Sequence, residues 1–155
     1  MGGLRVGFVG SGMMAEALAG GFDASGVAKF TDMSCIDRNQ PRLDLFASWG
    51  VTPRSSNHEI AANCDVVFIA VKPYGVAAVL EEMRPVLSKD TLVVSIAAGV
   101  TIATMEQAAG PGVPIVRVMP NTPCLVGAVA AGMAAGSSCT PSHTETVSKL
   151  FNAVG

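Results

Sequence analysis

The chain alternates between short apolar runs and longer stretches whose apolar residues recur at helical spacing. Leu4 to Val9 is a brief, mostly apolar run bounded by Gly10. That pattern predicts a strand buried on both faces. Met13 to Phe22 then places Met14, Leu18 and Phe22 one turn apart, with Gly26 as a stop signal, and reads as a helix. The alternation continues to the end of the chain. Strands are predicted over Thr31 to Ile36, Asp65 to Val71, Thr91 to Ala97 and Ile115 to Met119. Helices are predicted over Pro41 to Trp49, Asn57 to Asn63, Val76 to Leu87 and Thr101 to Ala109, with Thr101 as a cap. A Gly/Ala-rich strand over Gly127 to Ala135 and a last helix from Thr140-Pro141 to Asn152 complete the set. Strands alternating with helices give βαβ units. The predicted fold class is α/β, a Rossmann-type doubly wound, mostly parallel sheet with helices on both faces.

Composition sharpens this picture without changing it. The 155 residues are 50% hydrophobic, 14% charged and 5% aromatic, which supports a real core and argues against disorder. The length suits one domain over 1–155. A formal net charge of −2 gives no reason to expect nucleic acid as a partner. Four cysteines without a Cys-x-x-Cys pair indicate neither a zinc ribbon nor a dithiol motif. The first residues lack a signal-peptide pattern, and a cytoplasmic, thiol-reduced setting is the expectation. Val118 to Thr144 carries no charge, but a membrane span needs ~20 mostly apolar residues. Pro120, Pro123 and Pro141 interrupt this stretch, so its apolar part is expected to be buried strand and the chain is expected to have no membrane contact.

The chemistry begins where the first strand meets the first helix. Gly10-Ser11-Gly12-Met13-Met14-Ala15 fits G-x-G-x-x-A, a form of the dinucleotide fingerprint. Gly10 permits a tight turn out of the strand. Gly12 lets the backbone approach a diphosphate without a Cβ in the way. Ala15 allows the helix to sit close to the strand, and the helix N-terminus offers unpaired N–H groups to phosphate. The second strand should end in the group that reads the adenine ribose. Asp37 there would accept from a 2′-hydroxyl and favour NAD, whereas Arg38 would grip a 2′-phosphate and favour NADP. The cofactor is therefore NADP or NAD. Other residues have structural readings: Met13 and Met14 as core fillers, Asn57 as a helix cap, the cysteines as small buried residues, His58 and His143 as structural or exposed.

Three further segments occur in order after the "GFVGSGMMAEAL" start: "FIAVKP", "LVVSIAAGVT" and "VRVMPNTPCLVGA". With them the chain resembles the pyrroline-5-carboxylate reductase family from Val6 to Gly155. The resemblance implies a Rossmann domain for NAD(P)H and assigns residues to it. Val9, Gly10, Ser11, Gly12, Met13 and Met14 would form the phosphate loop. Asp37, Arg38 and Asn57 would face the adenine ribose, and Val71 and Lys72 would run along the cofactor. Ala97 and Ala98 would lie near the nicotinamide half, with Asn121 and Thr122 where nicotinamide meets substrate. The implied reaction is hydride transfer to the C=N carbon of 1-pyrroline-5-carboxylate. No side chain stands out as its acid or base, so no catalytic residue is assigned. The family's all-helical substrate and dimerisation half, with its "PGGTT"-like segment, has no counterpart here. These 155 residues are therefore expected to bind cofactor but turn over little substrate, to expose apolar surface around Val118 to Val129, and to be open to homo-oligomerisation. Two other readings stay open: another small NAD(P)-dependent reductase of the β-hydroxyacid dehydrogenase or F420 oxidoreductase type, and a non-catalytic nucleotide-binding module.

Overall fold

A computed structural model describes residues 4–119 and 132–154. Its strands are β1 (Val6–Val9), β2 (Met33–Ile36), β3 (Thr52–Pro53), β4 (Val66–Ile69), β5 (Leu92–Ser95), β6 (Ile115–Met119) and β7 (Gly132–Ala135). Its helices are α1 (Met13–Ser25), α2 (Gln40–Trp49), α3 (Asn57–Asn63), α4 (Val76–Met83), α5 (Ile102–Ala109) and α6 (Pro141–Ala153). Among the described residues these strands form one sheet in the order β3-β2-β1-β4-β5-β6-β7. The first six pair in parallel, and β7 runs antiparallel to β6. The predicted α/β Rossmann-type fold is thus the one observed.

The period-two rule decides which side chains face which helices. Val6 and Phe8, Val66 and Phe68, Leu92 and Val94, and Val116 and Val118 share one face, covered by α1, α2 and α6. Val9, Val67, Ile69, Val93 and Ile115 share the other, covered by α3, α4 and α5. Burial on both faces explains why the strands read as apolar runs with no polar alternation. The first face is aromatic. Phe8 stacks on Phe68 at 5.4 Å and on Phe22 at 6.4 Å, and Phe68 meets Phe151 of α6 at 6.1 Å.

Several boundaries differ from the sequence expectation, each for a local reason. Met33 starts β2 after a 3-10 turn over Phe30–Asp32. The helix expected over Val76 to Leu87 stops at Met83, because Pro85 cannot donate in a helix interior; Arg84–Val86 continues as a 3-10 turn. Thr52–Pro53 forms an edge strand that the pattern did not suggest, since two exposed residues carry no periodicity. The buried strand expected in the uncharged stretch is corrected in its described part: Gly132–Ala135 lies at the sheet edge and is largely exposed, Met133 at 42%. An edge strand buries only what a further layer covers, and no sequence pattern states where a sheet ends. Residues 127–131 of that expectation lie outside the described residues. No described helix is long and apolar enough to cross a membrane.

Candidate functional site

The strand order reverses at β1. The chain goes from β1 outward to β2 and β3, then returns to β4 on the other side. Such a switch point opens a crevice outside the carboxyl ends of the two central strands. Main-chain hydrogen bonds carry the ladder just past the strands and tie these tips together. Gly10 N donates to Ile36 O at 2.9 Å, Ala70 N to Val9 O at 2.8 Å, and Ile96 N to Ile69 O at 3.2 Å. The residues after β1, β2, β4 and β5 therefore line one edge.

The two loop glycines do different work. Gly10 has φ +100°, and a Cβ there would sit 2.6 Å from the Ala70 carbonyl oxygen. It is needed for the turn and for contact with the β4 tip. Gly12 caps α1 with an ordinary φ of −77°, and a Cβ there would meet nothing within 4 Å. The space over Gly12 is open. Among the described residues the amides of Gly12, Met13 and Met14 have no acceptor. Unpaired donors at the start of a 13-residue helix beside open space are the chemistry that holds a diphosphate. The residues present thus fit a dinucleotide.

Ser11, fully buried, is held by charge from two sides. Asp37 Oδ2 accepts from Ser11 N at 2.7 Å and from Ser11 Oγ at 2.8 Å, while Oδ1 accepts from Asn39 N at 2.8 Å. With three bonds taken, about one lone-pair site of the carboxylate remains. Arg42 Nε donates to Ser11 O at 2.6 Å, and its Nη2 pairs with Glu16 at 2.7 Å. Partial burial pushes the Asp37 carboxyl upward, but the donors from Asn39 and Ser11 outweigh it and hold the group below its ordinary value. A lowered folded-state value contributes stability at neutral pH that is lost as pH falls through it. Asp37→Asn is therefore expected to flatten the acid limb of the melting temperature against pH. An unchanged acid limb would show that the carboxylate does not brace the loop.

The other expected site residues are distributed as follows. Val9 ends β1, and Arg38 is exposed just after Asp37. Val71 is half-buried and Lys72 exposed at the β4 tip, where Lys72 O accepts from Gly75 N at 2.9 Å. Ala97 is buried, its N–H donating to Ser95 Oγ at 3.3 Å, and Ala98 is exposed beyond it. Asn57 opens α3 but does not cap it; Ser56 does, accepting from Glu59 N at 3.2 Å. The cap reading of Asn57 is thereby corrected, since only the residue before the first turn can reach that amide. Met13 is likewise no core filler: it is 81% exposed in the first turn of α1, beside the open space over Gly12, while Met14 packs partly against the core. Asn121 and Thr122 lie outside the described residues. His58 is exposed and meets Glu82 O at 2.6 Å; His143 accepts from Thr140 N at 2.9 Å. Burial pushes the Cys35 and Cys64 thiols up to about 11, so both are neutral at physiological pH, whereas Cys139 is only half-buried.

Arg42 and Glu16 are absent from the sequence reading. One signal for Arg42 was available. A cation in the first turn of a helix opposes the helix dipole, so an arginine at that point of α2 needs a partner elsewhere.

Comparison with known proteins gives the following likenesses. The family model described as NADP oxidoreductase coenzyme F420-dependent matches residues 5–99. A pyrroline-5-carboxylate reductase of Pisum sativum is 38% identical over 150 residues, which are 97% of this chain and 55% of that protein. A solved pyrroline-5-carboxylate reductase from Coxiella burnetii superposes with a TM-score of 0.89 at 34% identity, covering 98% of this chain and 57% of the other. The Plasmodium falciparum pyrroline carboxylate reductase, solved with NADP bound, gives a TM-score of 0.83 at 30% identity, covering 100% and 56%. The chain spans about half the length of the relatives it matches. It belongs to the NADP oxidoreductase coenzyme F420-dependent family, and over nearly its whole length it is similar to pyrroline-5-carboxylate reductases.

Proposed function

We propose that this chain is the cofactor-binding part of an NAD(P)H-dependent pyrroline-5-carboxylate reductase, which reduces the C=N bond of 1-pyrroline-5-carboxylate to give L-proline. The observation that carries the reading is the open cradle over Gly12, edged by unpaired amides, in a chain that matches reductases of that name over 97% of its length. When bound, the reduced nicotinamide supplies the hydride. The amides of Gly12, Met13 and Met14 hold the diphosphate, and Val9, Gly10 and Ser11 shape the turn beneath it. Asp37, Arg38 and Asn57 flank the adenine ribose. Val71 and Lys72 run beside the cofactor, and Ala97 and Ala98 leave room for the nicotinamide. These residues act by orientation, bringing donor and acceptor carbons to near-attack distance.

Charge at the ribose end bears on cofactor choice. Arg38 is exposed and suits a 2′-phosphate, as carried by the NADP in the Plasmodium falciparum structure. The Asp37 carboxylate opposes it. NADPH and NADH titrations of the wild type and of Arg38→Ala are the direct test. Binding of both nucleotides is expected, with NADPH alone weakened about tenfold in the variant, on the scale of one charge-assisted hydrogen bond. Unchanged NADPH affinity would remove Arg38 from the site, and no binding of either nucleotide would remove the cofactor reading. Steady-state turnover by the 155-residue polypeptide should fall far below that of a full-length relative, because it covers 55% of such a protein.

The free thiols Cys35, Cys64 and Cys139 support a cytoplasmic setting. The exposed Met119 and Met133 near the β6–β7 edge support self-association, which sedimentation velocity measures. A second reading, a reductase of the F420 oxidoreductase type, has the family description in its favour. The relatives that match over nearly the whole chain weigh against it.

A further inference from the structure

The phosphate loop is anchored through its main chain to α2, and this anchor has a direction. Arg42 Nε takes the Ser11 carbonyl at 2.6 Å. A trans peptide is planar, so its C=O and the next residue's N–H point opposite ways. Holding the Ser11 carbonyl toward α2 therefore turns the Gly12 N–H away from α2. The Gly12 amide has no acceptor among the described residues, and the space over Gly12 is open. On the other side of Ser11, Asp37 fixes the preceding N–H at 2.7 Å. The two peptide planes around Ser11 are thus set by opposite charges.

Arg42 itself is held in place. Its Nη2 pairs with Glu16 at 2.7 Å, and its guanidinium lies 5.8 Å from the centre of the Phe46 ring. It is also a cation in the first turn of α2, where the helix dipole disfavours it. The interactions with Ser11 and Glu16 offset that position.

We propose that Arg42 is a positioning residue for the cofactor: by gripping the Ser11 carbonyl it aims the Gly12 amide at the diphosphate, and Glu16 keeps the guanidinium in register. This rests on the dinucleotide reading above. Because the diphosphate is common to both nucleotides, Arg42 serves NADH and NADPH equally and does not choose between them.

The test uses the full chain as wild type, Arg42→Met, Arg42→Lys and Glu16→Gln. NADH and NADPH affinities are measured by fluorescence titration, and the Gly12 amide is followed by 15N–1H correlation spectra without ligand. Arg42→Met should weaken both nucleotides by the same factor, about tenfold. Its Gly12 resonance should shift while those of Gly99 and Gly110 stay in place. Arg42→Lys should recover part of the affinity, since an ammonium also donates to a carbonyl, and Glu16→Gln should give a smaller loss. Wild-type affinity in Arg42→Met overturns the proposal. So does a loss confined to NADPH, which would make Arg42 a direct 2′-phosphate contact. If Arg42→Met fails to fold, Glu16→Gln decides: unchanged affinity with an unmoved Gly12 resonance overturns the idea. A wild type that binds neither nucleotide instead overturns the cofactor reading, and the Gly12 resonance in the variants still tests the clamp.

Discussion

Gly12→Val should weaken nucleotide binding by roughly two to three orders of magnitude while leaving the fold intact. The backbone at Gly12 is extended, with φ −77° and ψ −168°, so its φ does not demand glycine. No atom lies within 4 Å of a Cβ built there. Valine caps a helix less well than glycine, but it also lowers the entropy of the unfolded chain by a similar few tenths to about 1 kcal/mol. The two nearly cancel, so the melting temperature should stay within a few degrees. Binding is another matter. The added methyls would occupy the volume in which a diphosphate approaches the amides of Gly12, Met13 and Met14. Losing two charge-assisted hydrogen bonds costs about 3–4 kcal/mol, which weakens affinity by roughly two to three orders of magnitude. Calorimetric titration with NADPH and NADH, paired with a thermal melt, checks both halves. If Gly12→Val binds within a few-fold of wild type, the diphosphate does not lie over this turn.

Gly10→Ala should do the reverse and damage the fold first. At φ +100° an L residue is strained, by about 1–3 kcal/mol. A Cβ would also press on the Ala70 carbonyl at 2.6 Å and its carbon at 2.9 Å. Both are backbone atoms of the segment that β4 pins to β1, so neither yields cheaply. The entropy gained through the unfolded state, about 0.4–1 kcal/mol, is too small to compensate. A net loss of about 3 kcal/mol should lower the melting temperature of a chain this size by ~6–12 °C. A melting point unchanged or raised would mean that the turn relaxes freely, and the close approach of the β1 and β4 tips would have no structural weight. The contrast between the two glycines is a sharper test than either variant alone.

Much of the fold could be read from the residues because the determining forces are local. Runs such as Val66–Ile69 and Leu92–Ser95 are apolar at every position, which only a strand covered on both faces accommodates. Gly26 and Gly50 end their helices in the left-handed conformation, and Thr101 caps α5 by accepting from Thr104 N. The errors fall where the deciding neighbour is distant. Met13 stands beside Met14 in the same helix, yet it is exposed while Met14 packs partly against the core. Gly132–Ala135 carries no polar side chain, but it lies last in the sheet order. Asn57 and Ser56 are both good caps, and the turn geometry picks Ser56.

The candidate site divides the same way. The Gly10-Ser11-Gly12 turn, its helix and the acid after the second strand follow from sequence, since each is a requirement of one βαβ unit. The amino-acid sequence by itself determined the βα alternation, the position of the Gly10-Ser11-Gly12 turn and the likeness to pyrroline-5-carboxylate reductases. Tertiary structure alone decided that Asp37 and Arg42 clamp Ser11 across 26 and 31 positions of chain. It also decided that Gly10 abuts Ala70 while Gly12 faces open space. Local propensity acts over a turn or two of chain, whereas these contacts exist only once parallel strands bring their carboxyl ends side by side.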